Sequence, residues 1–150
     1  RAAVGGAGGT CGPGGARRAV IVLDASALVE LLLGTRLGGS IAGRIADPAV
    51  ALHVPHLADV EVAQAFRRYV RTGELDEASA AEAIEDLRAL DLERHAHEPL
   101  LDRVWSLLDR LTAYDAVYVA LAEALGATLV TCDGKLARAP GLEGLVELVR

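Results

Sequence analysis

The feature that most constrains the fold is a short apolar run that ends in a carboxylate. Residues 19–23 (Ala-Val-Ile-Val-Leu) are continuously apolar, and Asp24 follows them directly. A continuous run of this length with β-branched residues is typical of a strand that is buried on both faces. Helices on either side of a parallel sheet provide such burial. The run therefore predicts an α/β domain in which Asp24 lies at the carboxyl end of the first strand.

A second segment pairs a helix with a strand. Residues 116–126 have helical composition and end in glycine, and residues 127–132 form an apolar run followed by Asp133. A helix of about 11 residues rises about 17 Å, and a strand of about five residues returns about the same distance. Asp115, at the helix start, and Asp133 should therefore lie at one edge of the sheet. If the strands are parallel, Asp24 joins them where open α/β sheets bind ligands.

A third segment brings in a fourth acid. Residues 55–73 begin with proline, end with glycine and carry apolar side chains at helical spacing, which predicts a helix. Glu61 lies in its first or second turn. Because a short strand at residues 50–54 precedes this helix, Glu61 should also face the carboxyl edge of the sheet.

Each acid also has a simpler structural interpretation. Asp24 can cap the first helix, Thr112 and Asp115 have the spacing of a capping box, and Asp133 begins an Asp-Gly turn. Glu61 can respond to a helix dipole. Four independent caps need not meet at one edge, however. Carboxylates that meet in one pocket repel each other, and raised pKa values or a bound cation relieve that repulsion.

The segments that carry these acids resemble the successive motifs of PIN domains, most closely those of VapC-type toxins. The resemblance spans residues 19–140 in the family's order, and its motifs are Val22-Leu23-Asp24-Ala25-Ser26, Asp59-Val60-Glu61, Thr112-Ala113-Tyr114-Asp115-Ala116 and Thr131-Cys132-Asp133-Gly134-Lys135-Leu136. It implies a three-layer α/β/α domain with a central parallel sheet of four or five strands. It also implies an endoribonuclease that depends on Mg²⁺ or Mn²⁺.

The resemblance also implies residue roles. It makes metal ligands of Asp24, Glu61, Asp115 and, directly or through water, Asp133. Family positions that carry supporting hydroxyls are occupied here by Ser26, Thr112 and Thr131. Mg²⁺ and Mn²⁺ prefer hard oxygen ligands. Such a cation lowers the pKa of water and polarises phosphoryl oxygens, so hydrolysis to a 5′-phosphate and a 3′-hydroxyl needs no nucleophilic side chain.

The partners that the resemblance implies are an RNA substrate, an inhibitory VapB-type antitoxin and a second copy of the chain. Residues 56–72 and 76–90 should form a helical hairpin, and in the family this region receives the antitoxin. The implied assemblies are a homodimer and a toxin–antitoxin hetero-oligomer. An internal core face is the alternative role for most apolar residues of the second helix.

Net charge is -6, which is unusual for an RNA-binding protein, but four of the 21 acids are assigned to the metal site. Local charge matters more than the total. Lys135 and Arg138, which follow the acidic edge, are candidates for phosphate contact. Arg67, Arg68 and Arg71 either bind RNA or simply stabilise a helix C-terminus.

Other catalytic centres have little support. The pairs His53/His56 and His95/His97 lack zinc-site spacing and are interpreted as surface or strand-end residues. Two further functions stay open: a receiver-like acidic phosphoacceptor that binds Mg²⁺, and a catalytically silent PIN-like binding module. Asp24 has no acidic neighbour of the kind the former needs, and all four acids that the latter usually loses are present.

Length predicts one domain. Residues 1–18 form a predicted flexible, Gly-rich leader without a signal-peptide core, and residues 19–150 form the PIN-like nuclease domain. No apolar run is long enough to span a membrane, so we expect a cytoplasmic protein with no membrane partner. Residues 34–40 are predicted to be a loop that contributes to substrate choice.

Overall fold

The computed structural model describes residues 19–150, and the predicted leader lies outside them. Five strands were found: β1 (Val20–Leu23), β2 (Ala51–Pro55), β3 (Leu92–His95), β4 (Thr128–Thr131) and β5 (Val146–Leu148). The α-helices of this part of the chain are α1 (Ala25–Leu32), α2 (Arg36–Ile45), α3 (Leu57–Thr72), α4 (Glu77–Ala89), α5 (Leu101–Leu107) and α6 (Ala113–Leu125).

All five strands are parallel and form one sheet in the order β3-β2-β1-β4-β5. The predicted three-layer α/β/α domain with a parallel sheet of four or five strands is thus confirmed. Helices α1 to α4 pack against one another, whereas α5 packs on α6 and α6 packs on β1, β2 and β4. Strand β1 is central, and Val22 and Leu23 are fully buried, as the continuous apolar run predicts.

The helix ends agree with the glycine signals in the sequence. Gly73 and Gly126 follow α3 and α6 with φ of 76° and 60°, in the left-handed region. Their backbone N–H groups donate to carbonyls of the last helical turn, which is the usual way to end a helix. Gly73 thus separates α3 from α4, and Gly126 ends α6 just before β4.

The prediction of a loop at residues 34–40 is wrong. Thr35 caps a helix there, its side chain accepting from the backbone N–H of Gly38 at 3.1 Å, and α2 begins at Arg36. Glycines lower the intrinsic helix propensity of this segment. Packing of α2 against α1 overrides that preference. Substrate choice can therefore not be assigned to a loop at residues 34–40.

A close approach of α2 to α1 makes Gly38 and Gly39 differ sharply. A Cβ at Gly38 would lie 2.0 Å from the carbonyl oxygen of Glu30, whereas one at Gly39 would meet nothing within 4 Å. We expect Gly38→Ala to lower the free energy of unfolding by about 1–3 kcal/mol through overpacking. Gly39→Ala, its matched control, should raise it by up to about 1 kcal/mol. Chemical denaturation measures both, and equal effects would contradict the packing described here.

No single helix within residues 19–150 has the length and apolar character needed to cross a bilayer. Only α1 and α2 together satisfy those two criteria, and they are bent by 104° relative to each other.

Candidate metal centre

Asp24 is held rigidly at the carboxyl end of β1. It caps α1, and its Oδ1 accepts from the backbone N–H of Ser26 at 2.6 Å and of Ala27 at 3.1 Å. The Ser26 hydroxyl donates to the same oxygen, and the Thr131 hydroxyl donates to Oδ2 at 2.6 Å. Asp24 is only 6% exposed. Burial raises the pKa of its carboxyl, and the hydrogen bonds from Ser26, Thr131 and Ala27 oppose that rise.

Glu61 projects from the second turn of α3 and has a partner on another helix. The buried phenol of Tyr118, on α6, donates to Glu61 Oε2. Burial raises the pKa of Glu61, the Tyr118 bond opposes this, and the negative charges of Asp24 and Asp115 raise it further. Burial and the hydrogen bond to Glu61 also raise the pKa of Tyr118, so its hydroxyl stays protonated as a donor. Three of the predicted acids therefore influence one another.

Asp115 occupies the first turn of α6. The Thr112 hydroxyl caps this helix, accepting from the backbone N–H of Asp115 at 3.1 Å and donating to its Oδ2 at 2.8 Å. The capping interpretation is thus correct. It does not exclude a second role, because the negative charge of Asp115 also acts on Glu61.

Hydroxyl groups connect Asp133 to the buried end of the site. The Thr131 hydroxyl, which donates to Asp24, also accepts from the backbone N–H of Asp133 at 2.8 Å. The Ser26 hydroxyl lies 3.3 Å from that of Thr131 and accepts from the backbone N–H of Cys132 at 2.9 Å. Asp133 Oδ1 accepts from the backbone N–H of Lys135, as expected for an Asx turn.

 A cavity of about 530 Å³ opens beside these groups, and Ser26, Glu61 and Asp133 line it together with Glu30 and Arg68. Two of the four predicted acids thus face the same space, whereas Asp24 and Asp115 are not among the lining residues, although Ser26, which donates to Asp24, is. The cavity lies at the carboxyl end of the sheet, where the sequence predicts the site.

The four carboxylates are nevertheless spread more widely than a closed ligand shell. Within residues 19–150, the one group of three donor residues whose ligand atoms lie within 4.8 Å of one another is elsewhere, at β2 and β3. Like charges in a shared pocket repel, which favours a wider spacing. A wide spacing suits Mg²⁺, because this ion keeps several of its waters and uses few direct carboxylate ligands.

The residues present fit a hard divalent cation. In the described part of the chain, none of the four acids forms an ion pair with a Lys, Arg or His side chain. Buried carboxylates without a cationic partner are costly to ionise. A cation bound among their oxygens would remove that cost, and Mg²⁺ and Mn²⁺ match all-oxygen ligands.

Sequence reasoning missed Tyr118 and Glu30. Tyr118 lies three residues after Asp115, one helical turn along α6, so helical spacing places it on the same side as that acid. A tyrosine hydroxyl one turn from a predicted metal ligand could have identified Tyr118 as a candidate hydrogen-bond donor to the acids. Glu30 gave no such signal, because its place in the cavity wall depends on how α1 packs against α3.

The interpretation of all four histidines as surface or strand-end residues is also wrong in part. His53 is 7% exposed and lies inside β2, whereas His56 is exposed and precedes α3. His95 ends β3, and its Nε2 lies 2.9 Å from Nδ1 of His53. Burial lowers the pKa of His53. The pairing of β2 with β3 brings these rings together, and the sequence shows no sign of that register.

Tyr118→Phe should weaken metal binding without leaving a cavity in the core, because only the hydroxyl group is lost. A hydrogen bond to a charged group contributes about 1.5–3 kcal/mol, so we expect any metal affinity that depends on Glu61 to fall by about 10-fold or more. The pKa of Glu61 should rise further. Titration with Mn²⁺ measures the effect, and Tyr114→Phe is the control, since Tyr114 is 61% exposed on the same helix. Equal affinities in both variants would contradict a positioning role for Tyr118.

The raised pKa of Glu61 has a defined consequence for stability. A carboxyl whose pKa is higher in the folded state than its ordinary value of 4.5 binds protons more tightly when folded. The wild type should therefore lose stability, relative to Glu61→Gln, as the pH rises from about that value through the raised pKa. Denaturant unfolding of both proteins in EDTA measures this difference. A difference that changes in the opposite direction with pH would contradict the burial of Glu61.

Comparison with known proteins agrees with this architecture. The PIN domain family profile matches residues 21–142. Ribonuclease VapC1 of Mycobacterium tuberculosis is 40% identical over 130 residues, which cover 86% of this chain and 97% of that protein.

Solved structures show the same fold. PAE2754 from Pyrobaculum aerophilum superposes with a TM-score of 0.66 at 27% identity, covering 86% of this chain and 83% of that one. A toxin–antitoxin complex from Klebsiella pneumoniae gives a TM-score of 0.61 at 16% identity over 87% of this chain and 98% of that one. By its profile match and its relatives, the chain belongs to the PIN domain family and, within it, to the VapC ribonucleases.

Proposed function

We propose that this protein is an endoribonuclease toxin that depends on Mg²⁺ or Mn²⁺ and is inhibited by a cognate antitoxin. Its metal ligands are Asp24, Glu61, Asp115 and, directly or through water, Asp133. The observation that carries the proposal is the cavity at the carboxyl end of the sheet, which Glu61 and Asp133 line close to the buried Asp24. Within residues 19–150, none of these acids forms an ion pair with a cationic side chain. Sequence similarity to proteins named ribonucleases supports the same activity.

The protein's own contribution to the chemistry is orientation. When bound, the divalent ion would lower the pKa of water and polarise a phosphoryl oxygen. Ser26 and Thr131 fix both oxygens of Asp24, and Tyr118 fixes Glu61. Thr112 holds Asp115 in the first turn of α6. Rigid ligands of this kind lower the reorganisation required during the reaction.

Cationic side chains beside the cavity support RNA as the substrate. Arg68 lines the cavity with Glu61, and its guanidinium carbon lies 5.1 Å from the centre of the Tyr69 ring. The guanidinium of Arg138 lies over Gly134, where an added Cβ would be 2.9 Å from its Nη1. Lys135 is exposed next to this turn. We propose that Arg68, Lys135 and Arg138 contact phosphates on the two sides of the acids, because phosphate contacts supply most of the affinity for nucleic acids.

The proposed partners are a VapB-type antitoxin and a second copy of this chain. Two clefts of about 470 and 440 Å³ lie between α3 and α4, and Ala63 and Ile84 line both. These clefts support this helical hairpin as the antitoxin groove. The exposed side chains of Leu101 and Trp105 on α5 and of Leu108, which caps its C-terminus, follow helical spacing, which supports a protein contact and hence a homodimer. The proposed location of these assemblies is the cytoplasm.

Cleavage of end-labelled RNA tests the proposed function. Antitoxin-free protein would be incubated with transfer, ribosomal and messenger RNA in Mg²⁺, Mn²⁺ or EDTA. Discrete cuts with 5′-phosphate and 3′-hydroxyl ends, which disappear in EDTA and return with added Mn²⁺, are expected. Cleavage that persists in EDTA would contradict the metal dependence. Binding of Mn²⁺ without cleavage of any RNA would instead support the catalytically silent module. The receiver-like phosphoacceptor has no support from the family assignment.

A further inference from the structure

All four histidines of the chain lie in β2 and β3 or just after them, on the side of the sheet away from β4. They form two pairs, each with one histidine from either segment. His53 faces His95 with ring centres 5.2 Å apart, and His56 faces His97 at 6.1 Å. Only the first pair adds an acid, because β2 and β3 pair with His53 opposite Glu93. The proposed nuclease reaction uses none of these residues.

The strand register places three donor groups on one face. His53 and Glu93 are direct partners in the parallel ladder, and His95 is two residues beyond Glu93. Side chains two residues apart in a strand point to the same face. His53 Nδ1 lies 2.9 Å from His95 Nε2. One Glu93 oxygen is 3.6 Å from the same His53 nitrogen, and the other is 3.7 Å from the His95 nitrogen.

These separations are close to the edges of a tetrahedral ligand shell. With zinc–nitrogen and zinc–oxygen bonds of about 2.0–2.1 Å, two ligand atoms of a tetrahedron lie about 3.3–3.4 Å apart. The two imidazole nitrogens are closer than this, at 2.9 Å, and they lie 3.6 and 3.7 Å from different oxygens of Glu93. A small separation of the two rings and a rotation of the Glu93 carboxylate would direct all three side chains at one ion.

The two histidine side chains are mostly buried, yet the group is open to solvent on one side. The side chain of His53 is 9% exposed, that of His95 is 23% exposed, and that of Glu93 is 67% exposed. An ion can therefore enter from the Glu93 side. The neighbouring cation does not compete for Glu93, because Arg94 bonds to both carboxylate oxygens of Asp59 at 2.8 and 3.1 Å.

We propose that His53, Glu93 and His95 form a second metal site, which binds Zn²⁺ or a similar borderline transition-metal ion. Two imidazoles and one carboxylate are a ligand set that Zn²⁺ accepts, with a fourth position left for water or another ligand. The site differs from the carboxylate centre in chemistry, because imidazole suits zinc whereas an all-oxygen site suits Mg²⁺ and Mn²⁺. The two ions can therefore occupy separate places in one molecule.

The metal would stabilise the pairing of β3, the edge strand of the sheet, with β2. Among the strands of residues 19–150, β3 pairs with β2 alone. The chain just after β3 supports α3, since His97 Nε2 accepts from the backbone N–H of Leu57 at 3.0 Å. A ligand that binds the folded state alone raises stability. Zn²⁺ should therefore raise the thermal unfolding midpoint of the protein.

Titration with Zn²⁺ in excess Mg²⁺ tests this proposal, because Mg²⁺ then occupies the carboxylate centre. Calorimetry should give one Zn²⁺ per chain. Loss of one ligand in His95→Gln or Glu93→Gln should weaken Zn²⁺ binding by more than about 100-fold, since even groups outside the ligand shell cost 10–100-fold. The matched control is His56→Gln, which changes an exposed histidine outside the group. Its affinity should equal that of the wild type.

Two further readouts separate this site from surface binding. Co²⁺ in place of Zn²⁺ should give the visible absorption of a four-coordinate site in the wild type and lose it in His95→Gln. The Zn²⁺-induced rise in the unfolding midpoint should vanish in the same variant. If His95→Gln does not fold, Glu93→Gln decides, because that side chain is mostly exposed. The proposal would be overturned if the wild type bound no Zn²⁺. It would also be overturned if the folded variant, His95→Gln or else Glu93→Gln, bound Zn²⁺ as tightly as the wild type.

Discussion

Asp115→Asn is expected to reduce RNA cleavage by about 100-fold or more while the protein stays folded. Removing one electrostatic group from a prearranged site typically costs about 100- to 1,000-fold in rate. The asparagine keeps an oxygen that can accept the hydrogen bond from Thr112, and the helix cap, formed by the backbone N–H and the Thr112 hydroxyl, is unaffected. Initial cleavage rates in saturating Mn²⁺ measure the effect, with circular dichroism to check the fold.

Asp102→Asn provides the matched control for this substitution. Asp102 is an exposed acid in the first turn of α5, so its change removes the same charge from the same kind of helix position. Its cleavage rate should equal that of the wild type. Equal losses in the two variants would mean that net charge, and not the position of Asp115, governs the rate.

Asp24→Asn should abolish cleavage and, at the same time, make the metal-free protein more stable at neutral pH. Burial raises the pKa of Asp24, so its charged form opposes folding above the ordinary carboxyl range. Asparagine removes that charge, keeps an acceptor for Ser26 and Ala27, and can donate its amide N–H to the Thr131 hydroxyl. Thermal unfolding in EDTA should show a higher midpoint for the variant, and added Mn²⁺ should stabilise it less than the wild type.

The contrasting control is Asp76→Asn, which changes the N-cap of α4. Hydrogen bonds from Ser79 lower the pKa of this exposed acid, so its charged form favours folding. Asp76→Asn should not raise the unfolding midpoint and should leave cleavage unchanged. If Asp24→Asn instead lowers the midpoint, capping α1 is the main role of Asp24, and the account of a buried metal ligand whose charge opposes folding fails.

The acids could be predicted from the sequence because local rules determine their places. Asp24 directly follows β1, Asp133 comes two residues after β4, and Asp115 lies in the first turn of a helix that ends in a glycine stop. In a parallel sheet those positions fall at one edge, whatever the details of packing. The fold class follows from the same continuous apolar runs. The structure also confirms the simpler roles of these residues as caps and turns, which do not compete with metal binding.

The features that the sequence did not reveal depend on contacts between distant segments. Strand β3 has the sequence Leu-Glu-Arg-His, and strand β5 has the sequence Val-Glu-Leu. Both segments are too short and too polar to be recognised as strands from their hydrophobic pattern. Their pairing with β2 and β4 stabilises them. Helix α2 is rich in glycine and forms because it packs on α1. The approach of Tyr118 to Glu61 likewise joins two residues that are 57 positions apart in the chain and lie on different helices.

A crystal structure of the protein with Mn²⁺, recorded at a wavelength where manganese scatters anomalously, tests the central claim most directly. The account predicts an anomalous peak in the cavity at the carboxyl end of β1, with oxygens of Asp24, Glu61 and Asp115 bound directly or through water. Direct metal–oxygen distances should be about 2.0–2.2 Å, close to those of Mg²⁺. An empty cavity in crystals that hold Mn²⁺ elsewhere, with the four carboxylates unmoved, would contradict it.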